Sequence, residues 1–345
     1  MPYKHLSTIA LALSLGLTTY AKPIETILGP LETNDPVVDQ LLDSEAMLRL
    51  QHIDQCGINF YFGYNPPFSR YDHCLGVYAL LKRYDAPQKE CIAGLLHDVS
   101  HTVFSHVGDV LFDEEGYQDN IHAWHLKQMG LGELLANHNI TIEEVLPDNE
   151  EYKALEQELP TLCADRIEYN LHKAYVFGMI DSQKINKLLE DLHFENDTWF
   201  FNSPKSAKKL ADLSLYFTEH FYGAPYNLAL MQITAQMLQQ AMDIGLITSD
   251  EVHFGKDLDI LERLKTSEDP IIQKGITQCS DIHAHVELAE NEDYDVHIYT
   301  KFRGIDPWVM QEGELHKLTD LDPSYKKRYE RIKAHVAKGV KIRFK

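Results

Sequence analysis

An apolar helical segment that ends in an adjacent histidine and aspartate constrains this chain most strongly. Residues 91–96 are apolar apart from one glycine, and His97-Asp98 follows them directly. Burying a histidine and a carboxylate beside such a helix is costly unless a partner compensates them. A divalent cation does so, because imidazole nitrogen and carboxylate oxygen are both good ligands for it. The segment therefore predicts a helical fold built around a metal site.

Helical periodicity extends over most of the chain. Apolar residues recur at helical spacing in segments at about 37–55, 71–84, 88–99, 105–113, 121–137, 161–178, 205–222 and 226–244. Residues 192–202 have the pattern of a small hairpin, and the alternation at 283–302, together with 340–344, predicts a small sheet. We therefore expect a mainly α protein, with a helical bundle over 22–250 and a small α+β lobe over 251–345.

The N-terminal segment, residues 1–21, differs from the rest of the sequence. Lys4 precedes an apolar stretch of about a dozen residues, and Thr19 and Ala21 occupy the small-residue positions of a cleavage site. This pattern predicts a signal peptide and an exported protein, periplasmic or secreted. The alternative is an amphipathic or buried first helix in a cytoplasmic protein. Downstream, no apolar run approaches the roughly 18–20 residues that span a bilayer, so we expect no membrane association.

Charge and cysteine content restrict the partners and the compartment. The chain has 32 basic and 53 acidic residues, a net charge of −21, so it repels nucleic-acid backbone and we expect no duplex nucleic acid as partner. The five cysteines are odd in number and form no Cys-x-x-Cys pair, which argues against a zinc ribbon. We interpret them as buried free thiols, which favours a reducing compartment over export. The sequence leaves both a monomer and a homo-oligomer open.

Two further residues complete a candidate metal site. His73 stands at the head of the preceding helix, and Asp165 lies on a later helix that we expect to pack beside it. A site of two histidines and two aspartates suits divalent Mn, Fe, Ni, Co, Mg or Zn, and the sequence does not choose among them. The segment from His97 to His101 also mimics the His-Glu-x-x-His helix of metalloproteases. Its Asp98 is one methylene shorter than the Glu that acts as base there, and His73 and Asp165 would be left unexplained.

The order His73, His97-Asp98, Asp165 resembles the HD-domain metal-dependent phosphohydrolases. The flanking segments are similar to the dGTPase-like deoxynucleoside triphosphate triphosphohydrolase branch: Arg70-Tyr71-Asp72-His73-Cys74-Leu75-Gly76, His97-Asp98-Val99-Ser100-His101-Thr102-Val103-Phe104-Ser105-His106, and Arg49-Leu50-Gln51-His52-Ile53-Asp54-Gln55-Cys56-Gly57. The resemblance covers about residues 34–180, with a weaker echo at 301–307. It implies an HD-domain helical bundle and hydrolysis of a nucleotide or related phosphate ester, with a dNTP as the specific candidate. The expected partner is therefore a phosphorylated small molecule.

The resemblance also implies roles for individual residues. The metal ligands would be His73, His97, Asp98 and Asp165. The catalytic group would be His101, beside the scissile phosphate, and Asp109, which would polarise a second histidine; His122 is the better match for it and His125 the alternative. The substrate would be bound by Arg70 at a phosphate, Gln55 at the sugar end, and Arg166 and Tyr169, which match an Asp-Lys-x-x-Tyr pattern with Arg in place of Lys.

Two departures from the family pattern concern the substrate. Lys173 stands where the family often has an Asp near the base or sugar end, and Thr102-Val103 replaces a Gly-Pro. The alternative function is a catalytically idle HD scaffold that binds nucleotide or a protein partner. The four ligands and the accessory His and Asp are all present, which favours the enzyme; a lost ligand would favour the scaffold.

Overall fold

The computed structural model describes residues 24–289 and 292–345, and helices account for most of its regular structure. The α-helices are α1 (Pro36–Leu42), α2 (Glu45–Leu50), α3 (Ile58–Tyr61), α4 (Arg70–Arg83), α5 (Gln88–Leu96), α6 (Val107–Leu111), α7 (Tyr117–Asn120), α8 (His122–Gln128), α9 (Leu131–Ala136), α10 (Ala164–Val176), α11 (Ser182–Glu190), α12 (Pro204–Phe217), α13 (Pro225–Asp243), α14 (Ser249–Phe254), α15 (Asp257–Thr266), α16 (Pro270–Ser280), α17 (Ile282–His285), α18 (Leu318–Leu321) and α19 (Pro323–Val336). A 3₁₀ turn lies at Glu143–Val145, and a π-helical turn at Thr218–Tyr222 follows α12.

The strands form three small sheets in the described part of the chain. They are β1 (Ile24–Thr26), β2 (Gly29–Leu31), β3 (Leu192–Glu195), β4 (Thr198–Phe201), β5 (Val286–Leu288), β6 (Val296–Ile298), β7 (Trp308–Gln311), β8 (Glu314–Lys317) and β9 (Val340–Phe344). Strands β1 and β2 pair alone, a second sheet has the order β3-β4-β7-β8, and a third has the order β5-β9-β6. Only the β4–β7 pair is parallel among these. None of the predicted metal ligands lies on one of these strands; they lie on or directly after α4, α5 and α10.

Helices α4, α5 and α10 form the part of the core that positions the site. Helix α4 begins after Ser69, whose hydroxyl accepts the N–H of Asp72 at 3.0 Å and so caps the first turn. Helix α5 begins after Pro87, and its buried apolar face continues up to Leu96. Helix α10 approaches α4 closely at Gly76, where an added Cβ would lie 2.1 Å from Oε1 of Glu168. Glycine at position 76 is therefore what allows the two helices to pack at this separation.

Most of the predicted elements are present. The mainly α architecture is confirmed, as are the hairpin of β3 and β4 and the C-terminal sheet of β5, β6 and β9. The single helix predicted over 37–55 is wrong, because Asp43 ends α1 and Ser44 caps α2. The helix predicted over 121–137 is likewise two helices, divided at Gly130, which has a φ of +74°.

The lobe boundary predicted at residue 250 stays a prediction, and several contacts cross it. Strand β4 pairs with β7, and the carboxylate of Asp257 accepts the backbone N–H groups of Asp54 and Phe104 at 2.9 and 2.7 Å. Residues before position 250 therefore rely on residues after it for strand pairing and for buried hydrogen bonds.

Three expectations concern the compartment. The predicted signal peptide, residues 1–21, lies outside the described residues, so export stays a prediction. None of the helices within 24–289 and 292–345 has the length and apolar character needed to cross a membrane. All five cysteines are free thiols as predicted; four are buried and Cys56 is half-buried.

Candidate metal centre and its surroundings

Three helices bring the predicted metal ligands together. His73 lies on the first turn of α4, His97 and Asp98 follow the end of α5, and Asp165 lies on the first turn of α10. His73 Nε2 is 3.2 Å from His97 Nε2 and 2.9 Å from Asp165 Oδ1. The oxygens of Asp98 lie 3.5 Å from His97 Nε2 and 3.7 Å from His73 Nε2. The four predicted residues thus lie close together; ligand atoms of His73, His97 and Asp165 all lie within 4.8 Å of one another, and metal binding by the four stays a prediction.

The hydrogen bonds of the two histidine rings fit a cation at this point. Nδ1 of His73 faces Oε2 of Glu168 at 2.5 Å, and Nδ1 of His97 faces the carbonyl of Gly94 at 2.8 Å. Both partners are acceptors, so each Nδ1 carries the donated proton. A cation that displaces the protons from the two Nε2 atoms, which lie 3.2 Å apart, would therefore meet two nitrogen lone pairs. The residues present therefore fit a metal ion.

The charge of the site agrees with this assignment. Burial lowers the pKa of His73 and Glu168 raises it, with a net value of about 10. Burial raises the pKa of the Asp165 carboxyl, but hydrogen bonds to His73 and His97 hold it well below its usual value. Without a metal ion, positive charge on the two imidazoles thus balances the carboxylates. A cation that binds would replace those protons.

Asp98 connects the ligand group to two other predicted residues. Its Oδ2 accepts a hydrogen bond from Nη1 of Arg70 at 2.5 Å, and its Oδ1 lies 3.2 Å from Nε2 of His101. Arg70 is 1% exposed and also donates Nε–H to Ser105 Oγ at 2.8 Å. Its remaining nitrogen, Nη2, is buried without a partner among the described residues. Arg70 therefore orients Asp98 and keeps one donor for another group.

His101 lies directly beside the ligand group. Burial and the positive charge of Arg70 lower the pKa of His101 to about 3, so its ring is neutral near pH 7. The neutral ring donates Nε2–H to Asp98 and leaves a buried Nδ1 that has no partner in the described part of the chain. The catalytic role of His101 stays a prediction.

The predicted pairing of Asp109 with His122 is not formed in this structure. Asp109 lies on the short helix α6, and its Oδ2 is 3.2 Å from Nδ1 of His106, three residues earlier. The ring of His106 in turn meets the ring of His101 edge-on, with centroids 4.9 Å apart. Helical i,i+3 spacing makes His106 the nearer partner for the carboxylate. The histidine that Asp109 contacts is therefore one that the sequence analysis left without a role.

His122 and His125, the two alternatives for the second histidine, have different surroundings. Nδ1 of His122 is 2.8 Å from Ser100 Oγ, beside the His-Asp motif, while its Nε2 is buried without a partner among residues 24–289 and 292–345. Burial and the charge of His97 lower the pKa of His122 to about 4. His125 instead donates Nε2–H to the backbone carbonyl of His253 on α14. Of the two, His122 is the one that lies next to the metal ligands.

The remaining predicted substrate residues fall into two groups. Gln55 has a half-buried side chain whose Oε1 is buried and lacks a donor in the described part, and Tyr169 is 8% exposed, with its ring 6.5 Å from that of His73. Arg166 is directed elsewhere: it donates to the carbonyls of Thr161, at 2.7 Å, and Gln157. Its role in substrate binding stays a prediction, and the structure gives its guanidinium a role in holding the 157–161 loop.

Sequence analysis also missed residues that support the ligands. Glu168 is fully buried and faces Nδ1 of His73 at 2.5 Å and Nδ1 of His172 at 2.7 Å. Its position three residues after Asp165, on the same face of α10, is a signal that could have identified it. Glu156 also lies near the centre, since its carboxylate forms a second group of potential ligands with Cys163 and Asp165.

The turn that follows the His-Asp motif has a backbone that needs external support. Phe104 and Ser105 have φ values of +58° and +60°, a region that non-glycine residues rarely adopt. Arg49 on α2 donates to the carbonyls of Val99 and His101, at 3.4 and 2.9 Å. These hydrogen bonds hold the strained turn, and with it His101, in place.

Relatives of this chain include a protein with a named activity class. The metal-dependent phosphohydrolase cns2 of Cordyceps militaris is 26% identical over 305 residues, 84% of this chain and 85% of that protein. The protein YdhJ of Bacillus subtilis, uncharacterized, is 32% identical over 314 residues, 90% of this chain and 95% of its own length. The chain belongs to the YdhJ family. The deoxynucleoside triphosphate triphosphohydrolase SAMHD1 homolog of Dictyostelium discoideum is 23% identical over 292 residues, 72% of this chain and 56% of that protein.

Solved structures support the fold. The crystal structure of a phosphohydrolase from Bacteroides thetaiotaomicron superposes with a TM-score of 0.71 at 14% identity, over 93% of this chain and 98% of that one. Such a likeness shows a shared fold only. No protein-family model matches the chain.

Proposed function

We propose that this chain is an HD-type metal-dependent phosphohydrolase that cleaves a nucleotide or a related phosphate ester. The observation that carries the proposal is the convergence of two imidazole Nε2 atoms and two carboxylates beside the unpartnered Nη2 of Arg70. A metal site next to a free guanidinium donor suits a phosphoryl group, whose oxygens bind both. The metal-dependent phosphohydrolase among the relatives supports the same class.

The metal ion is proposed to be held by His73, His97, Asp98 and Asp165, and its identity among Mn, Fe, Ni, Co, Mg and Zn is left to experiment. When bound, such a cation would polarise a phosphoryl oxygen and offset negative charge that develops on the phosphate. Arg70 would donate Nη2–H to another oxygen of the same phosphate and add to that stabilisation. Because Arg70 is already fixed by Asp98 and Ser105, it needs no rearrangement to do so.

Proton transfer is assigned to the histidines around the ligands. His101 presents Nδ1 as a buried acceptor, and His122 presents a buried Nε2; neither nitrogen has a partner in the described residues. His106 is held by Asp109, whose carboxylate orients the ring, and the pair is assigned the delivery of a proton to the leaving group. In this proposal Asp109 keeps the role that the sequence predicted, with His106 as its partner and His122 as a separate group.

Within this class of enzyme, we propose a dNTP as the specific substrate. Hydrolysis of a dNTP to deoxynucleoside and triphosphate is favoured by the motifs around His73 and His97 and by the Dictyostelium relative. Lys173 is the residue that weighs against a simple transfer of that activity, since it replaces an acidic residue of the family pattern.

A screen of the metal-loaded chain tests the proposal. We expect one of dNTPs, NTPs, mononucleotides and cyclic nucleotides to be hydrolysed, with the product identified as triphosphate, pyrophosphate or orthophosphate. The variant Asp98→Ala should lose activity by about 100-fold or more, since it removes a proposed ligand rather than an outer partner of one. Asp181→Ala, which removes an exposed helix-capping carboxylate on α11, serves as the matched control and should not.

Two outcomes would overturn this assignment. If no phosphate ester is hydrolysed with any of the six metals while nucleotide still binds, the alternative of a catalytically idle scaffold is correct. If Asp98→Ala retains full activity, the chemistry occurs elsewhere in the protein.

A further inference from the structure

A buried lysine without a counter-charge lies on the helix that supplies Asp165. Lys173, two turns after Asp165 on α10, is 3% exposed. Its Nζ lies over the ring of Phe221 at 3.3 Å from the centroid, over Tyr222 at 4.3 Å and over Phe217 at 5.6 Å. Among residues 24–289 and 292–345 it forms neither a hydrogen bond nor an ion pair. Burying an ammonium in this way is costly, and aromatic faces repay only part of that cost.

A second cation shares one of these rings. The guanidinium of Arg303, a half-buried residue, lies 5.4 Å from the centroid of Tyr222. In the part of the chain that the structure describes, Arg303 has no carboxylate within ion-pair distance. Two positive charges therefore adjoin a single aromatic ring.

The groups that face Lys173 confirm that positive charge dominates here. Burial lowers its pKa to about 8, and the ionisable groups that act on it are Cys56, Arg303, Asp54 and Arg70. Asp54 compensates the ammonium only in part, because burial raises the pKa of its carboxyl to about 7, and its two oxygens already accept the backbone N–H groups of Cys56 and Phe68 at 2.7 and 3.0 Å. Arg70 adds the unpartnered Nη2. Although the protein has a net charge of −21, the ammonium of Lys173 is thus near two guanidinium groups and has no ion-pair partner among the described residues.

We propose that Lys173 and Arg303 form a subsite for a second anionic group of the substrate, distinct from the phosphate bound at the metal and Arg70. The proposal rests on the proposed function, and it narrows the substrate to a phosphate ester that carries at least two phosphate-like groups. The second group has two sources: the terminal phosphates of a polyphosphate chain, or a separate phosphate on the sugar. A mononucleotide with a single phosphate would leave Lys173 uncompensated.

Calorimetric titrations of the 345-residue chain with three probes test the subsite. The probes are 2′-deoxyadenosine 5′-monophosphate, 2′-deoxyadenosine 5′-triphosphate and 2′-deoxyadenosine 3′,5′-bisphosphate, each titrated into protein as purified and again after chelation, which stops turnover. We expect the triphosphate or the bisphosphate to bind ~10- to 100-fold more tightly than the monophosphate, the size of one charge-assisted contact. If the tighter binding of the triphosphate depends on Lys173, the second group is a terminal phosphate of a polyphosphate chain. If the tighter binding of the bisphosphate depends on Lys173, the second group is a separate phosphate on the sugar.

Variants at position 173 separate the charge from the packing. Lys173→Met keeps the apolar stem among the rings. It should bind the better probe no more tightly than the monophosphate, with its affinity for the monophosphate unchanged. Lys173→Arg should still bind the better probe more tightly. Lys317→Met is the matched control, because Lys317 also lies over an aromatic ring, 3.8 Å from the centroid of Trp308, on the β7–β8 hairpin. Lys173→Met should also unfold at a temperature no lower than the wild type, since it removes an uncompensated buried charge.

Two results would overturn the subsite. One is that the wild type binds all three probes with equal affinity. The other is that Lys173→Met still prefers the better probe over the monophosphate by the same factor as the wild type. If Lys173→Met does not fold, Arg303→Gln provides the same comparison. Failure of the proposed function is distinguishable: the loaded wild type would then hydrolyse none of the probes or other phosphate esters, while the discrimination in binding would remain.

Discussion

The buried carboxylate of Glu168 should control the affinity of the metal site although it does not face the metal. Glu168 accepts hydrogen bonds from Nδ1 of His73 and of His172, at 2.5 and 2.7 Å, and has no exposed surface. In Glu168→Gln the negative charge is lost, and the amide NH₂ must face one of two N–H donors. His73 then loses the acceptor that fixes its tautomer, so we expect metal affinity to fall ~10- to 100-fold.

The assay is competition for Zn²⁺ or Co²⁺ between the protein and a chromophoric chelator. The matched control is Glu90→Gln on α5, where the carboxylate is also buried but accepts the backbone N–H groups of Ala154 and Leu155, at 2.8 and 2.9 Å. Both variants should lose stability, by about 1–3 kcal/mol, and only Glu168→Gln should lose metal affinity. Unchanged affinity in Glu168→Gln, or an equal loss in Glu90→Gln, would refute the reasoning.

Four further predictions concern other parts of the structure. Gly76→Ala should lower metal affinity in the same assay, because its Cβ would lie 2.1 Å from Glu168 Oε1 and displace that carboxylate; an affinity equal to wild type would contradict it. Binding of the probe that depends on Lys173 should weaken as pH rises through about 8, where the amine loses its proton, and titrations of Lys173→Arg should show no such decline. Because the pKa of Lys173 is lowered from 10.5, the unfolded chain binds more protons between about pH 8 and 10.5, so its contribution makes the free energy of unfolding rise with pH in that window; Lys173→Met should lack this rise in denaturant melts. Trp199→Ala should lower the free energy of unfolding by about 3–5 kcal/mol in urea, since the ring is fully buried and donates to the carbonyl of Ala154; a loss under 1 kcal/mol would show that the site collapses around the deletion.

Local patterns made much of the fold and the ligand group predictable. His97 and Asp98 were identified because an apolar helix ends in two polar residues, a pattern that adjacent positions of the sequence display. The hairpin of β3 and β4 was predicted for a similar reason, since its strands are joined by a turn at Asn196-Asp197.

Non-local contacts explain what the sequence did not reveal. The hairpin of β7 and β8 was missed, and β7 is held by a parallel pairing with β4 across more than a hundred residues. The direction of Arg166 depends on the carbonyls of the 157–161 loop, which no periodicity describes. The partner of Asp109 was missed for a different reason: family resemblance directed attention to His122, whereas the one-turn spacing to His106 was visible in the sequence.

The carboxylate of Asp257 limits how this protein can be divided or recombined. It accepts N–H groups from Asp54, next to Gln55, and from Phe104, in the strained turn after His101, so both segments depend on one residue at the start of α15. A fragment that stops at residue 250 would lack that acceptor and leave two buried donors unpaired. Chimeras between family members should therefore exchange the C-terminal lobe after residue 257, or inherit Asp257 together with the segments it holds.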